Sequence, residues 1–136
     1  MRRTPVLAGV ALVLAVGLAG CAGEDVQANP ATTAETFLNA VIEKDLAAMC
    51  GLLADDDGPL SAAEVQRCIS SGGGVLGLFM VQAEGAGIGS VRVESATVTG
   101  ARAEVSGSDL SEGEGLLGDM RLTLEKIGDD WWIAIG

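Results

Sequence analysis

The chain has 136 residues, with 19 acids against eight bases and a net charge of −11. That length suits one domain with a short extension and leaves little room for a second core. The acidity disfavours nucleic acid and direct adhesion to anionic lipid, which attract basic faces, and the absence of His and Tyr removes two common acid–base side chains.

In chain order, Met1, Arg2 and Arg3 precede Val6 to Ala19, a run of 14 residues drawn only from Ala, Val, Leu and Gly. Two cations followed by a short apolar run form an export signal, too short for a comfortable membrane span. The run closes on Leu18, Ala19, Gly20 and Cys21, which resemble the lipobox of bacterial lipoproteins. The resemblance implies that a lipoprotein signal peptidase removes residues 1–20 and that Cys21 carries a diacylglyceryl group on its sulfur. The alternative is an uncleaved signal anchor with an incidental cysteine. Acyl chains on Cys21 would place the mature protein at the cell membrane, on its extracytoplasmic face. Its remaining bases are Lys44, Arg67, Arg92, Arg102, Arg121 and Lys126, against the same 19 acids, so its net charge becomes −13.

Once lipid consumes Cys21, Cys50 and Cys68 are left as a pair. An oxidising compartment favours a structural disulfide between them. A redox dithiol is the alternative, but the pair forms no C-x-x-C motif.

Residues 21–30 read as a lipidated N-terminus and a polar, proline-terminated tether, and 31–136 as the domain. A helix is predicted from Thr32 or Thr33, with Phe37, Leu38, Val41 and Ile42 at helical spacing and Leu46, Met49, Cys50 and Leu53 continuing the stripe. "ADDDGP" then breaks the chain. Ser61 and Glu64 form a capping box for a second helix, whose apolar face presents Cys68 to Cys50. "SSGGG" ends it.

Residues 75–83, "VLGLFMVQA", are apolar enough for a buried strand or a short helix, and the pattern leaves both open. From Val91 the period becomes 2. One strand is predicted from Val91 through about Val98, with a turn at Thr99–Gly100 and a second strand through Ala101, Ala103 and Val105. "SGSDLSEGEG" reads as a loop, Met120, Leu122 and Leu124 mark a third strand, and "WWIAI" the last. Helices followed by an antiparallel meander indicate an α+β domain.

"AETFLNAVIEKDLAAMCGLLADD", "AAEVQRCIS", "VESATVTGARAEVS" and "RLTLEKIGDDWWIAIG" together resemble small exported lipoproteins, of actinobacterial type, with a nuclear-transport-factor-2-like (NTF2-like, cystatin-like) domain. The resemblance spans about residues 31–136. It implies N-terminal helices packed on a curved antiparallel sheet, forming a cone with a pocket. It implies no single reaction, because this fold hosts isomerases, dehydratases, transport adaptors and inert binders.

Candidate chemistry is sparse. The acids fall on polar faces or in loops, and Glu94, Glu104 and Glu125 sit on solvated strand faces. "DDDG", Asp55 to Gly58, lacks the alternating acids and distant Glu of a calcium loop. "GAGIG", 85–89, lacks the spacing of a phosphate cradle. No metal or other cofactor is therefore expected. Trp131 and Trp132 must point to opposite faces of their strand; Trp131 is expected inside with Ile133 and Ile135. Phe37, Val41, Leu78, Phe79 and Trp131 are the expected pocket lining. These observations favour a non-catalytic module binding a small apolar ligand or an envelope protein. An isomerase or dehydratase with a buried carboxylate in the cone is the alternative, and an accessory domain regulating an envelope complex is a third possibility.

Overall fold

A computed structural model describes residues 26–74 and 76–135. Helix α1 spans Pro30–Glu43. It begins earlier than Thr32, because the Asn29 side chain accepts hydrogen bonds from the N–H groups of Ala31 and Thr32, and Pro30 follows at the first helical position, where no N–H is needed. Thr33 is instead buried, and its hydroxyl donates to the carbonyls of Val26 (3.1 Å) and Asn29 (2.9 Å).

The apolar stripe continues as predicted, but in two helices. Lys44 adopts a left-handed conformation (φ 60°), and the N–H groups of Lys44 and Asp45 reach the Val41 and Ala40 carbonyls. This is a Schellman closure with lysine where glycine is usual. Asp45 then caps α2, Leu46–Cys50.

"ADDDGP" forms a hairpin rather than a loop. Strand β1 (Leu53–Asp55) pairs with β2 (Gly58–Pro59), and the Asp55 carboxylate accepts the Asp57 N–H at 2.9 Å. Helix α3, Ala62–Ser70, has the expected capping box: Ser61 N–H donates to Glu64, and Glu64 N–H to Ser61 Oγ. Gly73 follows at φ +85°, where an added Cβ would lie 3.2 Å from Leu46 Cδ2. The segment left open between strand and helix is helical: α4 spans Leu76–Ala86.

The strand expected through Val98 is two. Strand β3 (Arg92–Val93) pairs with β6 (Leu110–Glu112) in a small separate sheet, whereas β4 (Thr97–Thr99) belongs to the main one. Residues 94–96 carry the chain between sheets, a switch that unbroken alternation does not reveal. Strand β6 lies inside the expected loop for the same reason. Strands β5 (Arg102–Ser106), β7 (Arg121–Ile127) and β8 (Asp130–Ala134) fall where the alternation puts them.

The main sheet has the order β2-β1-β8-β7-β5-β4. It is curved and mixed rather than wholly antiparallel, since β1 joins β8 in parallel, Leu53 opposite Ile133. The domain is therefore α+β. Phe37, Leu38 and Val41 of α1 and Met49 of α2 form one core with Val105, Leu124, Trp131 and Ile133 of the sheet. Burying each such side chain contributes roughly 1.5–3 kcal/mol. Helix α1 covers the inner face of the sheet, α2 and α4 pack on α1, and α3 packs on α2.

Candidate functional site

Parity along the strands divides the sheet into two chemistries. Ala103, Val105, Leu122, Leu124, Trp131 and Ile133 point inward and are buried. Outward point Arg102, Glu104, Thr123, Glu125 and Trp132, aligned by the strand register: Thr99 opposite Arg102, Arg102 opposite Glu125, and Glu125 opposite Trp132. A second row sets Thr97 opposite Glu104 and Glu104 opposite Thr123. Such directly opposed pairs interact across the strands. Arg121 bridges to Glu104 at 3.4 Å, an exposed pair worth little to stability.

This outer face is uncovered by the helices and shallowly pitted. One depression of about 140 Å³ is lined by Thr97, Thr99, Arg102, Ala103 and Glu104. Another, of about 240 Å³, lies among Ala101, Arg102, Glu125 and Lys126. A third, of about 280 Å³, lies among Thr97, Glu104, Ser106, Asp109 and Arg121. Trp132 is half-buried at the end of the first row. Mixed charge around a large flat aromatic suits recognition of a polar surface better than enclosure of an apolar molecule.

The expected pocket residues are dispersed. Phe37 and Val41 are fully buried inside the packed core, and Trp131 is buried beside them. Phe79 packs against the edge of that core. Leu78 is on the outer side of α4 and 71% exposed, with Val81 one turn on at 67%. Helix α4 is apolar on all sides, so its sequence could not say which side turns inward; Leu76 and Ala83 do. Ile135, expected inside with Trp131 and Ile133, is 44% exposed because β8 ends at Ala134.

Cys50 and Cys68 form a disulfide joining α2 to α3, with 6.0 Å between their Cα atoms. Leu18, Ala19, Gly20 and Cys21 lie outside the described residues. Residues 26–30, assigned to the tether by composition, belong to the folded body: Val26 to Ala28 make a tight turn, and the Gln27 amide donates to the Trp131 carbonyl at 2.9 Å.

Among the described residues, the one fully buried polar side chain is that of Thr33. Two carboxylates are held below their usual range, both by nearby donors. Asp109 receives the Ser106 N–H and the Ser95 hydroxyl, and Glu64 the Ser61 N–H. A general acid in an apolar pocket requires the opposite displacement. No cluster of His, Cys, Asp and Glu among the described residues is arranged to hold a metal. "DDDG" is instead the β1–β2 turn.

A feature that composition concealed is the use of α1 as a strand partner. Asn39 donates to the Val91 carbonyl and accepts its N–H, both at 2.9 Å, and Glu35 accepts the Val93 N–H at 2.8 Å. The i, i+4 spacing of Glu35 and Asn39 puts both on one helix face, so side chains complete the edge of β3. On the side of β6, Gly113 lets the chain run close to the residues before β3, since a Cβ there would lie 2.7 Å from the Ser90 carbonyl oxygen.

No described protein family matches the chain, and no curated protein sequence matches it. Among solved structures it is similar to a Campylobacter jejuni protein provisionally assigned as an NTF2-like transpeptidase. The two share 15% identity over 79% of this chain and 99% of the other, with a TM-score of 0.56. The likeness is one of fold: the domain has an NTF2-like fold.

Proposed function

We propose that this protein is an exported lipoprotein, anchored through Cys21 on the extracytoplasmic face of the cell membrane, whose NTF2-like domain is a non-catalytic module that binds an envelope protein. The observation that carries the binding reading is the open outer sheet face, where the row Thr99, Arg102, Glu125 and Trp132 ends on a half-buried indole. The packed interior around Phe37 and Val41 favours a protein partner over a small apolar ligand. The anchoring reading rests on the sequence around Cys21.

The transpeptidase assignment of the structural neighbour has little to build on here. The chain has no His to activate a nucleophile, and Cys50 and Cys68 are joined to each other. An isomerase or dehydratase would need a carboxylate buried within the cone, and among the described residues the fully buried polar side chain is that of Thr33, whose hydroxyl donates to the Val26 and Asn29 carbonyls.

Photo-crosslinking in intact membranes tests the module. A crosslinker at Thr123, on the outer face, is expected to capture a discrete protein that the same group at Leu78 does not. Capture at neither position, with lipid co-purifying instead, overturns the protein-partner reading. Replacing Cys21 by Ser is expected to abolish lipid labelling and membrane retention; persistence of both overturns the anchor.

A further inference from the structure

Resting on the anchored reading, we propose that the domain has a fixed face toward the membrane: the surface around Val26, α2 and the exposed stripe of α1 lies against the lipid headgroups, and the charged outer sheet face is directed away. The first argument is length. From Cys21 to Val26 is five residues, a reach of at most about 18 Å at roughly 3.6 Å per residue. A body of this size has a radius of gyration of about 13 Å, hence a diameter of about 34 Å. To bring its far side to the bilayer, Val26 would have to stand nearly that whole diameter above Cys21. The link is too short for the body to turn over.

Val26 is also held to the body, so its position determines which face is near. Its carbonyl accepts the Thr33 hydroxyl, and Gln27 beside it is bonded to β8. Next to it opens a shallow concavity of about 360 Å³ lined by Val26, Gln27, Thr36, Ala47, Gly51 and Leu52, among which there is no charge. Between Val26 and Ala54 the charged residues are Glu35, Glu43, Lys44 and Asp45. Three of these cluster at the α1–α2 turn, and the Glu35 carboxylate is engaged by the Val93 N–H. In a mature chain of net charge −13, this sparsely charged sector, with its uncharged concavity, is where approach to a lipid surface displaces the least hydration from ions. Glu24 and Asp25 in the link add repulsion from anionic headgroups, so the lipid holds the contact and charge does not. The outer sheet face, with Arg102, Glu104, Arg121 and Glu125, lies on the other side of the sheet from α1 and is presented outward.

The experiment uses the full lipidated chain in phosphatidylcholine vesicles containing a headgroup-nitroxide lipid, with a fluorophore attached through Ala47→Cys, Ala28→Cys or Thr97→Cys. Ala28 and Ala47 are exposed beside the concavity, and Thr97 is exposed on the outer face three strands from β8. Quenching at Ala47 and Ala28 is expected to exceed that at Thr97 several-fold. Inserting ten Gly/Ser residues between Gly23 and Glu24 should bring the three positions close to equality, because the lengthened link lets the body turn. Equal quenching with the native link, or stronger quenching at Thr97, overturns the orientation while leaving the anchor standing. Absence of lipid on Cys21 overturns both.

Discussion

Helices α1 and α3 both begin with a side-chain cap and carry an apolar stripe, yet different forces hold them. Helix α1 buries Thr33, Ala34, Phe37, Leu38, Ala40 and Val41, and packs against the sheet, α2 and α4. Helix α3 has no fully buried residue; it lies on α2, to which the Cys50–Cys68 bond joins it. An amphipathic pattern thus commits a helix to some surface, but the area that surface offers decides whether packing suffices. Where it does not, a covalent bond limits the freedom of the unfolded chain instead.

The largest expected effect is on the packed side. Phe37→Ala should cost about 3–5 kcal/mol in chemical denaturation, through lost burial and the cavity left behind. A loss below about 1 kcal/mol would mean that α1 is no better packed than α3. Next comes the stapled side. The double replacement Cys50→Ala, Cys68→Ala should cost roughly 3 kcal/mol, the value for a loop of this length. Hydrogen exchange should rise in α3 well before it rises in β5, β7 and β8, and uniform exposure would abolish the distinction. Asn39→Ala leaves the Val91 N–H and carbonyl without their side-chain partner, at a cost of about 2 kcal/mol, with exchange increasing at Val91.

Smaller effects sharpen the contrast. Ser61→Ala removes the cap of α3 at about 1 kcal/mol, and the loss should be larger in the reduced protein if the disulfide masks fraying of this helix. The smallest concerns acid. The native Asp109 carboxyl titrates below its unfolded range, chiefly through the Ser106 N–H, so the folded state binds fewer protons there than the unfolded chain. Its stabilisation is full above that range and drains from about pH 4 downward. Asp109→Asn should therefore flatten the acid limb of the stability profile by less than about 0.5 kcal/mol, because this partly exposed site is screened by solvent. An unchanged acid limb would remove the role given to Ser106.

Much of this was readable from local pattern. The α3 capping box is a four-residue statement, and the strands β5, β7 and β8 follow from alternation of Ala103 and Val105, Leu122 and Leu124, Trp131 and Ile133. The pairing of Cys50 with Cys68 followed from counting. Less was readable where local preference is degenerate. "VLGLFMVQA" satisfies helix and strand alike, and as a helix it offers apolar atoms on every side, so Leu78, expected in the pocket lining, lies outward. The candidate face was half legible: alternation identifies Glu104 and Glu125 as outward, but only register sets Arg102 and Glu125 beside Trp132.

By itself, then, the sequence determined the short-range features: caps, the periods of helices and strands, the cysteine pair, and the acidic balance of the chain. Those depend on residues within a turn or two of one another, where backbone geometry leaves few choices. The tertiary structure alone decided that β1 runs parallel to β8, that residues 91–99 are shared between two sheets, and that Glu35 and Asn39 finish the edge of β3. It also decided that Val26 belongs to the body. Each of these is a contact between distant segments. It is selected by which packing buries the most apolar surface with its polar groups paired, a condition that no local stretch of chain encodes.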